Sequence, residues 1–318
     1  MLEYTVRRLL LGMVTAVLVS LFIFGALRIA PGDVALVILG QEEGAIFTDE
    51  DVQKLREQLG LNRSLPVQYF EWVGDLVTLD WGTSLMRDLD VWDQFKAKVP
   101  VTAQLVLMSM TLSTCIGIPF GIIMALKQDT RVDYFIRIIS LAGISVPSFW
   151  TATLIIVGGL VWFDWGPRLS YVAPLEDPFG NFIMFLWPAL AIGWVSSATK
   201  SRMMRSTTLE VLRQDYVRTA HAKGLRPFVV TYRHVMKNAL LPVVTVIGIS
   251  VALAVGGSVI IETIFLLPGM GRYLVTGLQT RDYPVVQSLI VVFSMWVVLT
   301  NLLVDLTYAW LDPRIRFN

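Results

Sequence analysis

The sequence predicts an all-α membrane protein with six transmembrane helices. A helical extracytoplasmic insertion follows the first span, and a short cytoplasmic helix lies between the fourth and fifth. Three observations support this. Hydrophobic residues make up 55% of the 318 residues and charged residues only 16%, whereas a soluble domain carries about 25% charge. The apolar residues gather into runs near the ~20 needed to cross a bilayer. The Lys and Arg residues concentrate at alternate ends of those runs, as the positive-inside rule expects.

The apolar runs cover 9–30, 101–126, 136–163, 182–199, 239–265 and 285–310. Pro119, Pro147, Pro188 and Pro242 lie inside spans and read as kinks, tolerated where neighbouring helices or water satisfy the freed carbonyls. Arg7 and Arg8 precede the first run, as in a signal peptide. That run, however, exceeds an h-region of about 7–15 residues and lacks a small-x-small site, so an uncleaved span is expected. Of the 26 Lys and Arg residues, sixteen fall on the side that holds both termini. That side is therefore assigned to the cytoplasm of a prokaryotic inner membrane, with a multi-pass chain.

The resulting organisation is a cytoplasmic N-terminus and first span (1–30), an extracytoplasmic helical segment (31–98), a five-helix core (99–312) with a cytoplasmic loop at 200–238, and a tail (313–318). In the outer segment, Thr48 can cap a helix bearing Val52, Leu55 and Leu59 and stopped by Gly60. A second helix is expected with Pro66 in its first turn and Phe70, Val73 and Val77 on one face. Trp72, Trp81 and Trp92 suit the membrane interface, and residues 91–100 read as a lead-in to span two. Residues 164–181 read as an irregular loop. After span five, Pro268, Gly269 and Gly271 predict a sharp turn before a short helix dipping into the membrane edge. Arg28 and Glu262, near the outer boundary, are expected to snorkel or pair locally.

In the loop at 200–238, Asp215 is a good N-cap residue for two helical turns, and Gly224 suits the left-handed stop. Tyr216, Ala220 and Lys223 share a face. Ala220 and Ala222 are small enough for a partner to approach closely. Pro227 fits the first turn of a following helix whose Tyr232, Val235 and Met236 pack inward. On spacing alone, this segment reads as a solvated, routinely capped cytoplasmic loop.

The segment DYVRTAHAKGL (215–225), followed by NALLPVVT (238–245), resembles the cytoplasmic EAA loop of ABC importer permeases of the dipeptide/oligopeptide/nickel class. The resemblance extends along the chain through LEYTVRRLL (2–10), APGD (30–33), LREQLGLNRSLPVQYFEW (55–72), GISVPSFW (143–150), GGSVIIETIFLLPGMGRYL (256–274), RDYPVVQ (281–287) and DPRIRF (312–317). His221 stands where that class often has arginine, and Arg218 stands at the glutamate of the general motif. The usual short Leu-Pro-Pro turn after span three is missing. The resemblance implies a type I ABC importer permease fold. It also implies that Asp215, Tyr216, Arg218, Thr219, Ala220, Ala222, Lys223, Gly224 and Leu225 form a helix coupling this chain to an ATPase. The implied partners are a second homologous permease, two cytoplasmic ATPase subunits and an extracytoplasmic substrate-binding protein delivering peptides or a related small solute. No cofactor is expected in this chain, and ATP and Mg would belong to the ATPase subunits.

No GxxxxGK[ST], HExxH, paired-cysteine or GxSxG pattern is present, so neither catalysis nor a metal site is expected. Cys115 is the only cysteine, and His221 and His234 are the only histidines. The basic cytoplasmic side is ordinary membrane topology and implies no nucleic acid. Ser145, Ser148, Ser196, Ser250 and Ser258 could line a wet path through the spans, or simply serve helix packing. Asp305, an acid inside span six, leaves open an ion-coupled secondary transporter.

Overall fold

The computed structural model describes residues 2–29, 34–40 and 47–311. Helices dominate, and among the described residues the only strand-like pairing is an isolated bridge between Thr83 and Asp90. The order is α1 (Leu2–Ile29), α2 (Val34–Leu39), α3 (Asp49–Gln58), α4 (Leu65–Thr78), α5 (Val91–Leu126), α6 (Arg131–Ser145), α7 (Ser148–Phe163), α8 (Pro178–Leu212), α9 (Asp215–Ala222), α10 (Pro227–Val229), α11 (Met236–Ile264), α12 (Met270–Thr280) and α13 (Tyr283–Leu311). A π-helical turn, Val230–Val235, joins α10 to α11. Five helices are long and apolar enough to cross a bilayer, or six if α6 and α7 count as one span. The tail 312–318 and the APGD segment lie outside the described residues.

The third span differs most from expectation. Instead of one kinked helix, α6 and α7 meet at 105°. Pro147 removes a backbone donor, and the residue before a proline is driven out of the helical region. Val146 accordingly lies at φ −98°, ψ 122°. Pro119, Pro188 and Pro242 remain within continuous helices α5, α8 and α11. The fourth span runs on to Leu212, so Lys200, expected in the cytoplasmic loop, is instead fully buried. Its Nζ donates to Ser113 Oγ at 2.5 Å and Thr114 Oγ1 at 3.2 Å.

That lysine sits in a close seam between α5 and α8. A Cβ on Gly117 would lie 2.7 Å from the Ser197 carbonyl, and one on Gly121 would lie 2.6 Å from the Ser201 carbonyl. Only glycine permits this approach, as in small-residue packing between membrane helices. At 35 and 36 residues, each helix is about 53 Å long at ~1.5 Å per residue. Both therefore outrun a hydrocarbon core of ~30 Å.

The outer segment is ordered by local capping. Thr48 and Asp51 form a reciprocal capping box at α3, and Gly60 adopts φ +66°. Proline occupies the first turn of α4, as expected. Of its predicted face, Phe70 and Val77 point away from the chain. The opposite side lies against α1, with Ser20 Oγ 2.9 Å from Tyr69 OH and Arg28 Nε donating to Gln68 Oε1 at 2.9 Å. Trp81 packs within the chain. It is buried, edge-on to Trp92, with its indole N–H donating to the Leu76 carbonyl.

Candidate functional site

The α9 end of the bundle carries the surface helix. Its N-cap is Gln214, and Asp215 is the first helical residue, so the helix starts one position earlier than the sequence suggested. Capping side chains also act as helix-breaking turn formers, so one-residue ambiguity at an Asx start is common. At the other end, Lys223 is the C-cap and Gly224 takes φ +75°, with its N–H donating to the His221 carbonyl at 2.9 Å. Asp215, Tyr216, Arg218, Thr219, Ala222, Lys223, Gly224 and Leu225 are exposed. Arg218 and Asp215 approach to 3.5 Å in solvent, a contact worth little.

Ala220 does not belong with them. It and Val217 are buried in a cluster with Met204 of α8, Val230 and Val235 of the π-turn, and Met236 and Ala239 of α11. Its small side chain serves the seating of α9 on its own chain and leaves no surface for a partner. The apolar residues of a helix this short are divided by the tertiary environment, which a face drawn from periodicity does not contain. Asn238 Nδ2 also donates to Tyr216 OH at 2.8 Å. Tyr232, expected inside, is exposed, its ring 4.3 Å from that of Phe228. The π-turn's extra residue per turn breaks the 3.6 period used to place it.

Towards the same end of α8, Asp133 ties α6 to α8. Fully buried, it accepts from Arg205 Nε at 3.1 Å, Arg205 Nη2 at 2.9 Å, Arg137 Nη2 at 2.5 Å and the Asp129 amide at 3.0 Å. Sequence reasoning passed over this residue. The available signal was the arginine four positions on, which is a modest one.

Midway along the bundle, the α6–α7 elbow, α8 and α11 enclose a cavity of about 410 Å³. Ser148, Ser196 and Ser250 line it among aliphatic side chains, and no lining residue is charged. Ser196 Oγ is buried there without a partner, while Ser250 Oγ donates to the Val246 carbonyl. Ser145 and Ser258 are not brought to the cavity. Ser145 lies exposed on α6, donating to the Leu141 carbonyl, and Ser258 is buried, donating to the Val255 carbonyl. The side chain of Asp305 is outside the described residues.

At the far end, Glu262 does not snorkel. It is fully buried and caps the start of α12. Thr102 Oγ1 donates to Glu262 Oε1 at 2.7 Å, and the Arg272 amide donates to Oε2 at 3.0 Å. Thr102 in turn accepts the Met270 amide. A Cβ on Gly269 or Gly271 would come within 2.4 Å or 2.9 Å of the Glu262 carboxylate, so the PGMG turn is shaped to admit this side chain. Among the described residues, no group of three or more His, Cys, Asp or Glu is placed to hold a metal ion.

Residues 117–317 match the family described as binding-protein-dependent transport system inner membrane component, and residues 1–106 match its N-terminal domain. The chain is 38% identical over 314 residues to a probable peptide ABC transporter permease of Sinorhizobium fredii, covering 99% of each. It is 36% identical to the dipeptide transport system permease DppB of Alkalihalophilus pseudofirmus over the whole of both chains. A crystal structure of an amino acid ABC transporter with histidines superposes at TM-score 0.52 and 14% identity, over 69% of this chain and 94% of that one. This last likeness concerns the fold alone.

Proposed function

The chain belongs to the family of binding-protein-dependent transport system inner membrane components, and from that premise we propose that it forms half the membrane pathway of an ATP-driven peptide importer. The observation that supports this best is the seating of α9. The helix is exposed on the side away from the bundle. Through Val217 and Ala220 it is anchored in a cluster shared by α8 and α11. A force applied to its exposed face therefore reaches two long helices at once, and both border the central cavity.

In this reading the α9 end faces the cytoplasm and docks on one of two ATPase subunits, which bind ATP and Mg. A second homologous permease completes the pathway, and an extracytoplasmic binding protein delivers the solute. The chain itself carries out no catalysis. The dipeptide and peptide permeases among its relatives support a peptide as cargo. The cavity agrees in chemistry: its hydroxyls can hydrogen-bond a peptide backbone, and its uncharged walls do not select for side-chain charge. Ser148, Ser196 and Ser250 are the pathway residues this geometry favours.

The test is to substitute the exposed face without disturbing the buried one. Arg218→Glu with Ala222→Trp should leave the chain folded, yet abolish co-purification of the ATPase and substrate-stimulated ATP hydrolysis. Full retention of both in a folded double variant defeats the coupling role.

A further inference from the structure

A separate cavity lies at the α9 end and has no part in the pathway described above. It measures about 600 Å³ and is lined by Arg137 of α6, Arg202 and Arg205 of α8, Arg213 and Gln214 at the α8–α9 junction, and the apolar Met124 and Leu209. Glu210 is its only acidic lining residue. The buried Asp133 offsets part of the charge of Arg137 and Arg205. Arg202 and Arg213 make no ion pair among the described residues, and Arg137 Nε is buried without an acceptor. Four guanidiniums thus converge against two carboxylates, leaving an excess of two positive charges and an unfilled donor. Alongside, α6 exposes Phe135 and Ile138, at 64% and 66% of their surface.

We propose that this cavity binds the phosphate of an anionic phospholipid, with its acyl chains lying on the exposed face of α6. Planar guanidiniums match phosphate geometry with paired N–H donors. Basic pockets between membrane helices on the cytoplasmic side are suited to such headgroups. The apolar α6 face beside the guanidiniums gives acyl chains a surface next to the headgroup, a contact that a soluble anion does not use. Because Gln214 is the N-cap of α9 and Arg213 the C-cap of α8, a bound headgroup sits against the joint between the two helices. The inference shares with the coupling role only the assignment of the α9 end to the cytoplasmic leaflet.

The experiment uses the full chain, purified with whatever subunits accompany it, in nanodiscs of phosphatidylcholine doped with phosphatidylglycerol. Bound lipid is read by native mass spectrometry, which needs no ATPase activity and so separates this site from the coupling role. Wild type should retain phosphatidylglycerol over phosphatidylcholine. Arg202→Gln with Arg213→Gln should lower that retention roughly tenfold or more, the loss expected for two cations at a membrane surface. The charge-preserving pair Arg202→Lys and Arg213→Lys should retain most of it, which separates a charge effect from misfolding. Equal retention in wild type and the glutamine pair overturns the proposal. So does complete displacement by millimolar inorganic phosphate, which would make this a site for a soluble anion.

Discussion

Two fully buried acids, one at each end of the bundle, are stabilised in opposite ways. Asp133 is held by cations: two arginines, one reaching across from α8. Glu262 has no cation partner among the described residues and is held by a hydroxyl and backbone amides at the start of α12. A buried acid needs hydrogen-bond partners and, when charged, an opposite charge; Asp133 has both, and Glu262 has the first. The mechanical consequences differ. The ion pairs at Asp133 tie the short helix α6 to the long helix α8 that also carries α9's seat, so the two move together. The amide cradle at Glu262 fixes a short helix locally and leaves the long helices to be aligned by packing.

The largest effect expected is from Asp133→Ala, which leaves Arg137 and Arg205 facing each other without a counter-charge. Breaking a buried ion pair from one side costs about 3 kcal/mol or more, visible as a fall of several degrees in the melting temperature of the detergent-solubilised protein. Glu262→Ala should cost less, about 2 kcal/mol, for the amide and hydroxyl left unsatisfied. Glu262→Gln, which keeps an acceptor, should fall between this variant and wild type. If Glu262→Ala proves the more damaging of the two alanine variants, the contrast drawn here is wrong. Gly271→Ala comes next, at roughly 1–2 kcal/mol of overpacking, since its Cβ would press on both Glu262 and the Val259 backbone.

The smallest effect sharpens the comparison with a third acid. Asp51 also accepts a backbone amide, that of Thr48, at 2.9 Å, but in full solvent. The Thr48 bonds hold its carboxyl below the ordinary carboxylate value. A depressed folded value means the contribution is present above the unfolded value near 4 and lost as pH falls through the folded one. Limited proteolysis of the outer segment should therefore speed up below about pH 4. Thr48→Ala should reproduce part of that change at neutral pH, at a cost of about 1 kcal/mol. No acceleration in acid would mean that α3 is held by packing and not by its cap.

Much of the architecture was legible because its causes are local. Span lengths follow from runs of apolar residues, and the stops at Gly60 and Gly224 follow from a backbone only glycine adopts freely. The start of α4 follows from a proline that needs no donor. The same rules failed where a residue's role depends on what lies across from it. Pro147 and Pro188 look alike in the sequence, yet one breaks its helix at 105° while the other sits within a continuous one. Lys200 read as a loop cation because a charge usually ends a span. It is buried because Ser113 and Thr114, far away in sequence, offer it acceptors. Three of the five serines singled out do share a cavity, but only the α6–α7 elbow brings Ser148 to face Ser196 and Ser250.

By itself, then, the amino-acid order determined that this chain lives in a bilayer, where its helices lie, and that a capped two-turn helix interrupts the basic loop. These are consequences of hydrophobicity and backbone preference, which act over a few turns of chain. The assembled fold alone decided that Ala220 faces inward, that Asp133 joins α6 to α8, and that Glu262 needs no cation. Each depends on desolvation and on partners supplied from tens to more than a hundred residues away, and no local pattern encodes either.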